Sequence, residues 1–312
     1  MENTFQNKDN TYSNINLLIT SLIVLYLGLG VLFKTSINNF PETILELTIL
    51  LIVSIIIIRV IHLIRMKSLK SIAQTSFVLL FFAYFFGLTS KFQLLLHNEW
   101  MDKNLIDVDQ SIFGSELSLL LQNYITPYLT EAMMFTYVLY LPLLIFTAVI
   151  VYKSAGQKGL TEYLFVLSLT YIFCYIGFIL FPVASQMYFM PDKYSVSLKG
   201  GLFTYFAEYI RHNLHFRGGS LPSPHCAAAT VILWACYKYN RTIFFVILPS
   251  VILLYISTVY GRFHYLLDSI TGIITGFLAV IIYPFVIRII DLTKTFFKCV
   301  LNPVSVVNSL SE

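Results

Sequence analysis

The sequence predicts an all-α polytopic membrane protein with about eight transmembrane helices. The 312 residues are 57% hydrophobic and 12% charged, and the mean hydropathy is +0.77. Eight stretches approach the ~20 apolar residues that a helix needs to cross the bilayer. So little charge cannot cover a soluble globule, because soluble domains carry about a quarter charged residues. Composition therefore excludes a cytosolic enzyme, a disordered chain and a secreted disulfide scaffold.

The predicted spans leave short loops on one side of the membrane and two long loops on the other. An even number of spans places both termini on the side of the short loops, which are the denser in Lys and Arg. The positive-inside rule therefore predicts cytoplasmic termini, in a plasma or inner membrane. The spans lie near 14–33, 44–64, 71–90, 131–152, 162–182, 224–238, 242–260 and 264–287.

The domain organisation that we predict is a single membrane core with additions at both ends. Residues 1–70 hold a polar N-terminal tail and two additional transmembrane helices, and 291–312 form a cytoplasmic tail. The core, 71–290, contains six helices and two long outer loops. No Lys/Arg-rich tract indicates a nucleic-acid partner, and the oligomeric state stays open. Without CxxC or zinc spacing, the cysteines are interpreted as packing residues: Cys174, Cys226, Cys236 and Cys299.

Each long outer loop, 91–130 and 183–223, allows two interpretations. It is either an amphipathic helix at the membrane interface or a plain connector. In the second loop, His212 and His215 either face the site from this helix or are solvated, and solvation is the expectation. Its apolar residues recur at helical spacing and predict one apolar stripe: Phe203, Phe206, Ala207, Ile210 and Leu214.

Two polar clusters open the sixth and the eighth span. The first runs from Gly218 to His225 and the second from Tyr260 to Asp268. Two helical legs separate His225 from His264, so both histidines return to one membrane face, which the predicted orientation makes the non-cytoplasmic one. Each such residue alone is more often structural, whereas their coincidence at one depth favours a functional site.

The first cluster has the features of an anion site. Ser223 followed by Pro224 is typical of an N-cap and a first helical position. The unpaired amides of the first turn, with Gly218-Gly219 before them, favour phosphate at the helix N-terminus. His225 stands at the edge of this site and can donate a proton to a leaving oxygen.

The second cluster has the features of a nucleophile and its support. His264 and Asp268 are four residues apart and share one helix face. A carboxylate that holds one imidazole nitrogen leaves the other free to attack phosphorus, and it stabilises the charge that forms. Arg262 is close enough in sequence to bind phosphate oxygens.

These residues resemble a known family. Pro222 to His225 resembles the second signature of the type 2 phosphatidic acid phosphatase superfamily, usually Pro-Ser-Gly-His, and Ser257 to Asp268 resembles its third. The resemblance covers roughly 218–276. It implies a six-helix core and a reaction on a lipid phosphate among membrane lipids, with neither metal nor cofactor. It also implies a phosphohistidine on His264, oriented by Asp268, with His225 as the general acid.

The sequence departs from that family at its basic residues. The first signature is absent, since the chain has no Arg-Pro, and Thr258 stands where the third signature has Arg. Arg262, two residues before His264, instead resembles the branch of inositol-phosphorylceramide synthases and their bacterial relatives. So do Phe181-Pro182 and the stretch from Asp107 and Asp109 to Phe113-Gly114. Gln186-Met187 occupy the place of that branch's next Arg, which leaves four candidates for the phosphate clamp: Arg217, Arg211, Lys199 and Lys193.

The predicted function is therefore a lipid-phosphate phosphatase or phosphotransferase. Hydrolysis and headgroup transfer share one covalent intermediate, so both stay open. A transporter or channel is disfavoured because the ionisable residues cluster at one face rather than at the midplane, and an inactive lipid-binding relative also stays open. The predicted catalytic residues are His264, Asp268 and His225, and the predicted phosphate ligands are Arg262, Ser223, Arg217 and Gly219.

Overall fold

The fold is described by a computed structural model that covers residues 3–301, with side chains for 12–296. Over these residues the chain is all-helical, with no strand, as the sequence predicts. The longer helices are α1 (Asn3–Leu32), α2 (Phe40–Leu63), α3 (Lys67–Thr89), α6 (Pro127–Leu180), α9 (Pro224–Tyr239), α10 (Arg241–Tyr260) and α11 (Leu266–Leu301). Between them lie α4 (Asp102–Phe113), α5 (Leu117–Leu121), α7 (Gln186–Phe189) and α8 (Leu202–Asn213).

Within the described residues, six helices are long and apolar enough to cross a membrane: α1, α2, α3, α6, α10 and α11. The 54-residue α6 is interrupted at Gly156, whose φ of 63° suits a residue without a Cβ. Its two halves fold back on each other, as a hydrogen bond between them shows: Tyr163 Oη donates to the Leu144 carbonyl at 3.2 Å. The predicted fourth and fifth spans are therefore the two arms of this hairpin, and the predicted short sixth span is the 16-residue α9.

The two ends of the helix bundle differ in what they carry. At the terminal end, α1 meets α11, where Asn14 Nδ2 donates to Asp291 Oδ1 at 3.3 Å and Lys294 Nζ to Ser13 Oγ at 2.9 Å. The beginning of the described part of α1 and the last described turns of α11 therefore lie on one side of the bundle. α11 stays helical to Leu301, beyond the predicted end at 287, and residues 302–312 lie outside the description. The opposite end, which we call the loop end, carries α4, α5, α7 and α8.

The central helices α9 and α11 approach closely through small residues. A Cβ added at Gly272 would lie 2.5 Å from the Ser223 carbonyl oxygen, and one at Gly276 would lie 2.5 Å from that of Ala227. Glycine on α11 thus lets the two helices pack with their backbones in contact. This contact sets the start of α11 against the start of α9. Three cysteines are buried without a disulfide, Cys174, Cys226 and Cys236, and the Cys299 side chain lies outside the description.

The outer loops form helices, and the apolar residues predicted to form one stripe on α8 divide between buried and exposed positions. Phe206 and Leu214 are 44% and 65% exposed, whereas Arg211 faces inward and is 9% exposed. The cause is Glu131 of α6, whose carboxylate accepts hydrogen bonds from backbone amides of the first turn of α8, including Phe203 N at 2.8 Å. A carboxylate at a helix N-terminus is stabilised by the helix dipole, and here it fixes the rotation of α8.

Candidate active site

The start of α9 is built as its sequence predicts. Ser223 is the N-cap, its Oγ accepts from Cys226 N at 3.4 Å, and Pro224 occupies the first turn. Ser223 N also donates to the Asp268 carbonyl at 2.9 Å. This bond ties the first polar cluster to the second across 45 residues of sequence.

His264 is held at one ring nitrogen by two side chains. Its Nδ1 lies 3.1 Å from Ser220 Oγ and 3.5 Å from Asp268 Oδ2. Ser220 Oγ donates to the same Asp268 oxygen, which also accepts from Tyr265 N at 3.0 Å. Because the hydroxyl proton goes to the carboxylate, the hydroxyl oxygen accepts from Nδ1–H, and this assigns the proton of the neutral ring to Nδ1.

The other nitrogen of His264 faces the second histidine. His264 Nε2 lies 3.4 Å from His225 Nδ1, and the ring centroids are 5.6 Å apart. With Nδ1 protonated, Nε2 of His264 has a free lone pair directed at His225. The structure therefore brings together all three residues that were predicted to be catalytic. His264 and Asp268 are buried, and His225 is half-buried.

Aromatic side chains surround His225 on the side of α6. The rings of Tyr137 and Tyr140 lie 5.0 and 4.9 Å from its ring. The expectation that His215 is solvated is wrong, because its ring stacks 6.3 Å from His225 and its Nε2 lies 3.1 Å from Tyr137 Oη. Burial, with the nearby His264 and Arg211, lowers the pKa of His215 to about 3, so this ring is neutral at pH 7. His212, by contrast, is exposed as expected.

The predicted phosphate ligands do not meet at one point as the catalytic residues do, because each of them contacts a different segment of the loop end. Arg262 is 8% exposed and has a positive φ of 63°, a conformation that is uncommon outside glycine. Its guanidinium donates to the Val196 carbonyl at 2.5 Å. The Gly219 amide donates to Gln93 Oε1 at 2.8 Å, and the exposed Arg217 lies over the Trp100 ring at 5.4 Å.

The other basic candidates have different positions. Arg211 is buried, and its Nη2 donates to the Gly261 carbonyl at 2.6 Å, so it supports the turn that precedes Arg262. Lys193 and Lys199 are exposed. Of the four candidates for the missing clamp, Arg211 is thus the one that the fold buries next to the second cluster.

Asp102 is a buried acidic residue of the site region that sequence reasoning did not single out. It is fully buried at the start of α4, where Oδ2 accepts from Ala184 N at 2.7 Å and Oδ1 accepts from Tyr265 Oη at 3.0 Å. Burial is the main reason that its pKa is raised to about 6. Since Tyr265 N binds Asp268, Asp102 supports the site through one intervening residue. Nothing in the sequence separates it from Asp107, which is exposed.

Ser220 is the second residue that was missed. It belongs to the predicted Gly-rich segment, but its bond to His264 depends on how that segment folds over α11. The five-residue spacing from Ser220 to His225 matches no recognisable motif, and His264, which Ser220 contacts, is 44 residues away in sequence. The signal available in sequence was only its place in the cluster that opens the sixth span.

A cavity of about 550 Å³ lies next to Arg262 at the loop end. The segment 187–197 and α8 form its walls. Neither His264 nor His225 lines it. The polar residues that line it are Tyr188, Tyr194, Ser195, Ser197, Arg211, His212 and Arg262.

Comparison with known proteins identifies the family but no individual relative. The family model described as PAP2 superfamily matches residues 103–282. No curated protein and no solved structure matches the chain. The matched range contains Ser220, His225, His264 and Asp268, and it extends over most of both outer loops. Because this range is more than half of the 312 residues, the chain belongs to the PAP2 superfamily.

Proposed function

We propose that this membrane protein is a lipid-phosphate phosphatase or phosphotransferase that works through a phosphohistidine on His264. The PAP2 superfamily generally hydrolyses phosphate esters. The observation that carries the finer proposal is the pair of imidazoles, with His264 Nε2 directed at His225 Nδ1 over 3.4 Å. In the His264 ring, Ser220 and Asp268 fix Nδ1, the nitrogen that faces away from His225. A nucleophilic imidazole needs this arrangement.

In the first step, the lone pair of His264 Nε2 attacks the phosphorus. A P–N bond forms and the P–O bond to the lipid breaks. His225 enters this step as the imidazolium and transfers a proton to the leaving oxygen, so the lipid departs as a neutral alcohol and His225 is left neutral. The His264 ring becomes cationic, and the Asp268 carboxylate stabilises that charge through Nδ1 and Ser220. The two rings must separate to admit the phosphoryl group between them.

In the second step, an acceptor oxygen attacks the phosphohistidine. His225, now neutral, removes the proton of the acceptor while the P–N bond breaks and His264 regains its lone pair. Water as the acceptor releases inorganic phosphate. The hydroxyl of another lipid gives a new phosphoester, so one site supports both reactions and the acceptor decides between them.

The substrate binds with its apolar chain among the helices and its phosphate at the loop end. The Lys and Arg of the short loops favour a cytoplasmic terminal end. The proposed active site then lies at the non-cytoplasmic face of a plasma or inner membrane. The reacting phosphate is held at the α9 N-terminus capped by Ser223, with Gly219 and Arg217 nearby in the chain and Arg262 two residues before His264.

Covalent trapping tests the proposal directly. Purified protein in detergent, with a chelator present, is mixed with a lipid monophosphate labelled in its phosphate and quenched within one turnover. We expect label on the protein that is stable to base and lost in acid, and none on His264→Ala protein. Phosphate release without trapped label, or trapped label on the His264→Ala variant, would contradict the assignment of the nucleophile.

Transfer is the second candidate, favoured by the order Arg262, His264, Tyr265 that resembles the inositol-phosphorylceramide synthase branch. Adding a lipid with a free hydroxyl to the same assay separates the two reactions. A phosphatase releases phosphate at an unchanged rate. A transferase moves label into a new lipid, and phosphate release falls in proportion. If neither product forms, the inactive lipid-binding relative is favoured, and ion flux in vesicles that depends on His225 would favour a transporter.

A further inference from the structure

The cavity beside Arg262 has the size and lining of a binding site for a polar group. At about 550 Å³ it falls within the ~300–1,000 Å³ range of small-molecule sites. It lies among the outer loops rather than between the long helices, a position that favours a headgroup over a lipid chain. Four hydroxyl-bearing residues line the cavity, Tyr188, Tyr194, Ser195 and Ser197, of which Tyr194 is already hydrogen-bonded to Ser118 through its hydroxyl.

Two buried arginines give the cavity a positive charge. Arg211 is paired, since its Nε lies 3.2 Å from Glu208 Oε1. Arg262 has neutral partners, the Val196 carbonyl at 2.5 Å and the face of the Tyr194 ring at 4.0 Å. Among residues 12–296, no carboxylate lies within ion-pair distance of Arg262.

An uncompensated buried cation is costly, and an anionic ligand removes the cost. Burial is the main cause that lowers the pKa of Arg262, and Arg211 lowers it further, while Glu208, which lies beyond ion-pair distance, opposes the shift only in part. Its planar guanidinium binds phosphate and carboxylate groups through paired hydrogen bonds. The cavity therefore has the chemistry of an anion site.

The position of this site relates it to the reaction. Arg262 is two residues before His264, but its contacts are with the segment 194–196 rather than with either imidazole. A phosphorus at His264 Nε2 and an anion in the cavity would thus lie on neighbouring parts of one headgroup. We propose that the cavity binds a second anionic group of the substrate, a phosphate or a carboxylate, while the reacting phosphate lies at the histidine pair. This inference rests on the proposed function.

Substrate comparison tests the inference. The substrates are a lipid monophosphate, the diphosphate of the same lipid, and a phosphodiester lipid whose headgroup carries a carboxylate. Removing a charge-assisted contact in Arg262→Gln should lower kcat/KM for a two-anion substrate at least about tenfold more than for the monophosphate. Whichever two-anion substrate shows this difference identifies the source of the anion. An equal loss on all three substrates would overturn the inference.

Two further variants sharpen the comparison. Glu208→Gln removes the competitor of Arg211, so it should shift the preference toward the two-anion substrate, opposite in sign to Arg262→Gln. Loss of folding cannot produce shifts of opposite sign. Lys103→Gln, which removes an exposed charge on the same face, should leave the preference unchanged.

A binding measurement separates this inference from the proposed function. Inorganic pyrophosphate should raise the melting temperature of His264→Ala protein more than inorganic phosphate does, and Arg262→Gln should remove the difference. If pyrophosphate stabilises the protein but no lipid is hydrolysed, the cavity assignment stands and the proposed reaction fails. If the lipid monophosphate is hydrolysed but the two anions stabilise equally, the reaction stands and the cavity assignment fails.

Discussion

A carboxylate joins elements at each end of the bundle, half-buried Glu162 at the terminal end and buried Asp268 at the loop end, and the two are satisfied very differently. At the terminal end, Glu162 of α6 accepts from Lys238 Nζ at 2.5 Å and from the hydroxyls of Tyr239 and Tyr283. At the loop end, Asp268 receives hydrogen bonds on Oδ2, while its buried Oδ1 has no partner.

Under the proposed function, the difference separates a structural contact from a catalytic one. Glu162 joins α6, α9 and α11 with its charge neutralised by a lysine, so it has little capacity left for another cation. A carboxylate oxygen without a partner normally destabilises a fold. Asp268 retains such an unpaired oxygen, and it lies next to the His264 ring, which becomes cationic in the proposed reaction. In the proposed reaction, this spare hydrogen-bonding capacity would be used when His264 carries the phosphoryl group.

The largest expected effect is at the nucleophile. His264→Gln should lower kcat for lipid-phosphate hydrolysis by about 10³-fold or more, because no other group near the phosphorus replaces the attacking nitrogen. The melting temperature should change little, since glutamine retains a polar atom near Ser220. Phosphate release and thermal unfolding measure the two effects. If His264→Gln protein kept a tenth of the wild-type rate, His264 would not be the nucleophile, and the contrast between the loop end and the terminal end would be lost.

Removing the hydroxyl between His264 and Asp268 should have the next largest effect. Ser220→Ala leaves Asp268 3.5 Å from Nδ1 with no bridging group, so the ring loses its orientation. Loss of such a supporting contact commonly costs about 10–100-fold. We expect the loss in kcat with KM nearly unchanged, measured by steady-state kinetics on a lipid monophosphate. An increase in KM alone would mean that Ser220 contacts the substrate instead.

How much of this site could be predicted depended on how local its determinants are. The N-cap at Ser223 and the proximity of His264 to Asp268 follow from short-range spacing, and the structure has both. The predicted shared helix face is wrong, because α11 begins at Leu266 and His264 lies in the turn before it. The rotation of α8 does not, because Glu131 sets it from 70 residues away in sequence. Asp102 could not be identified for the same reason, since its burial depends on residues that are distant in sequence, Ala184 and Tyr265.

Close packing of α9 on α11 should affect activity by a smaller amount. Gly272→Ala places a methyl group 2.5 Å from the Ser223 carbonyl oxygen, so α11 must move and take Asp268 with it. Overpacking of this kind costs about 1–3 kcal/mol, and we expect a lower melting temperature together with lower kcat. Gly87→Ala is the matched control, since a Cβ there meets nothing within 4 Å. Equal behaviour of the two variants would contradict the packing argument.

The carboxylate of the terminal end should matter for stability and not for turnover. Glu162→Gln leaves Lys238 without its ion pair and weakens the bonds from Tyr239 and Tyr283. Loss of such bonds costs about 1–3 kcal/mol, so the melting temperature should fall while kcat per folded molecule is retained. Thermal unfolding and active-site titration by trapped phosphohistidine separate the two quantities. A fall in kcat per titrated site would show that the two ends are coupled.

The smallest effect is a pH dependence that belongs to the loop end alone. The pKa of Asp102 is raised from 3.8 to about 6 by burial, so the folded protein binds its proton more tightly than the unfolded chain. The stability from this group is full below about pH 4 and is lost as pH rises to about 6. Asp102→Asn should therefore be less stable than wild type at pH 4 and closer to it at pH 7. Asp109, also raised to about 6, is present in both proteins and cancels in the difference. A gap in melting temperature that stays constant or widens with pH would mean that Asp102 is already ionised in the folded protein, held by Ala184 N and Tyr265 Oη.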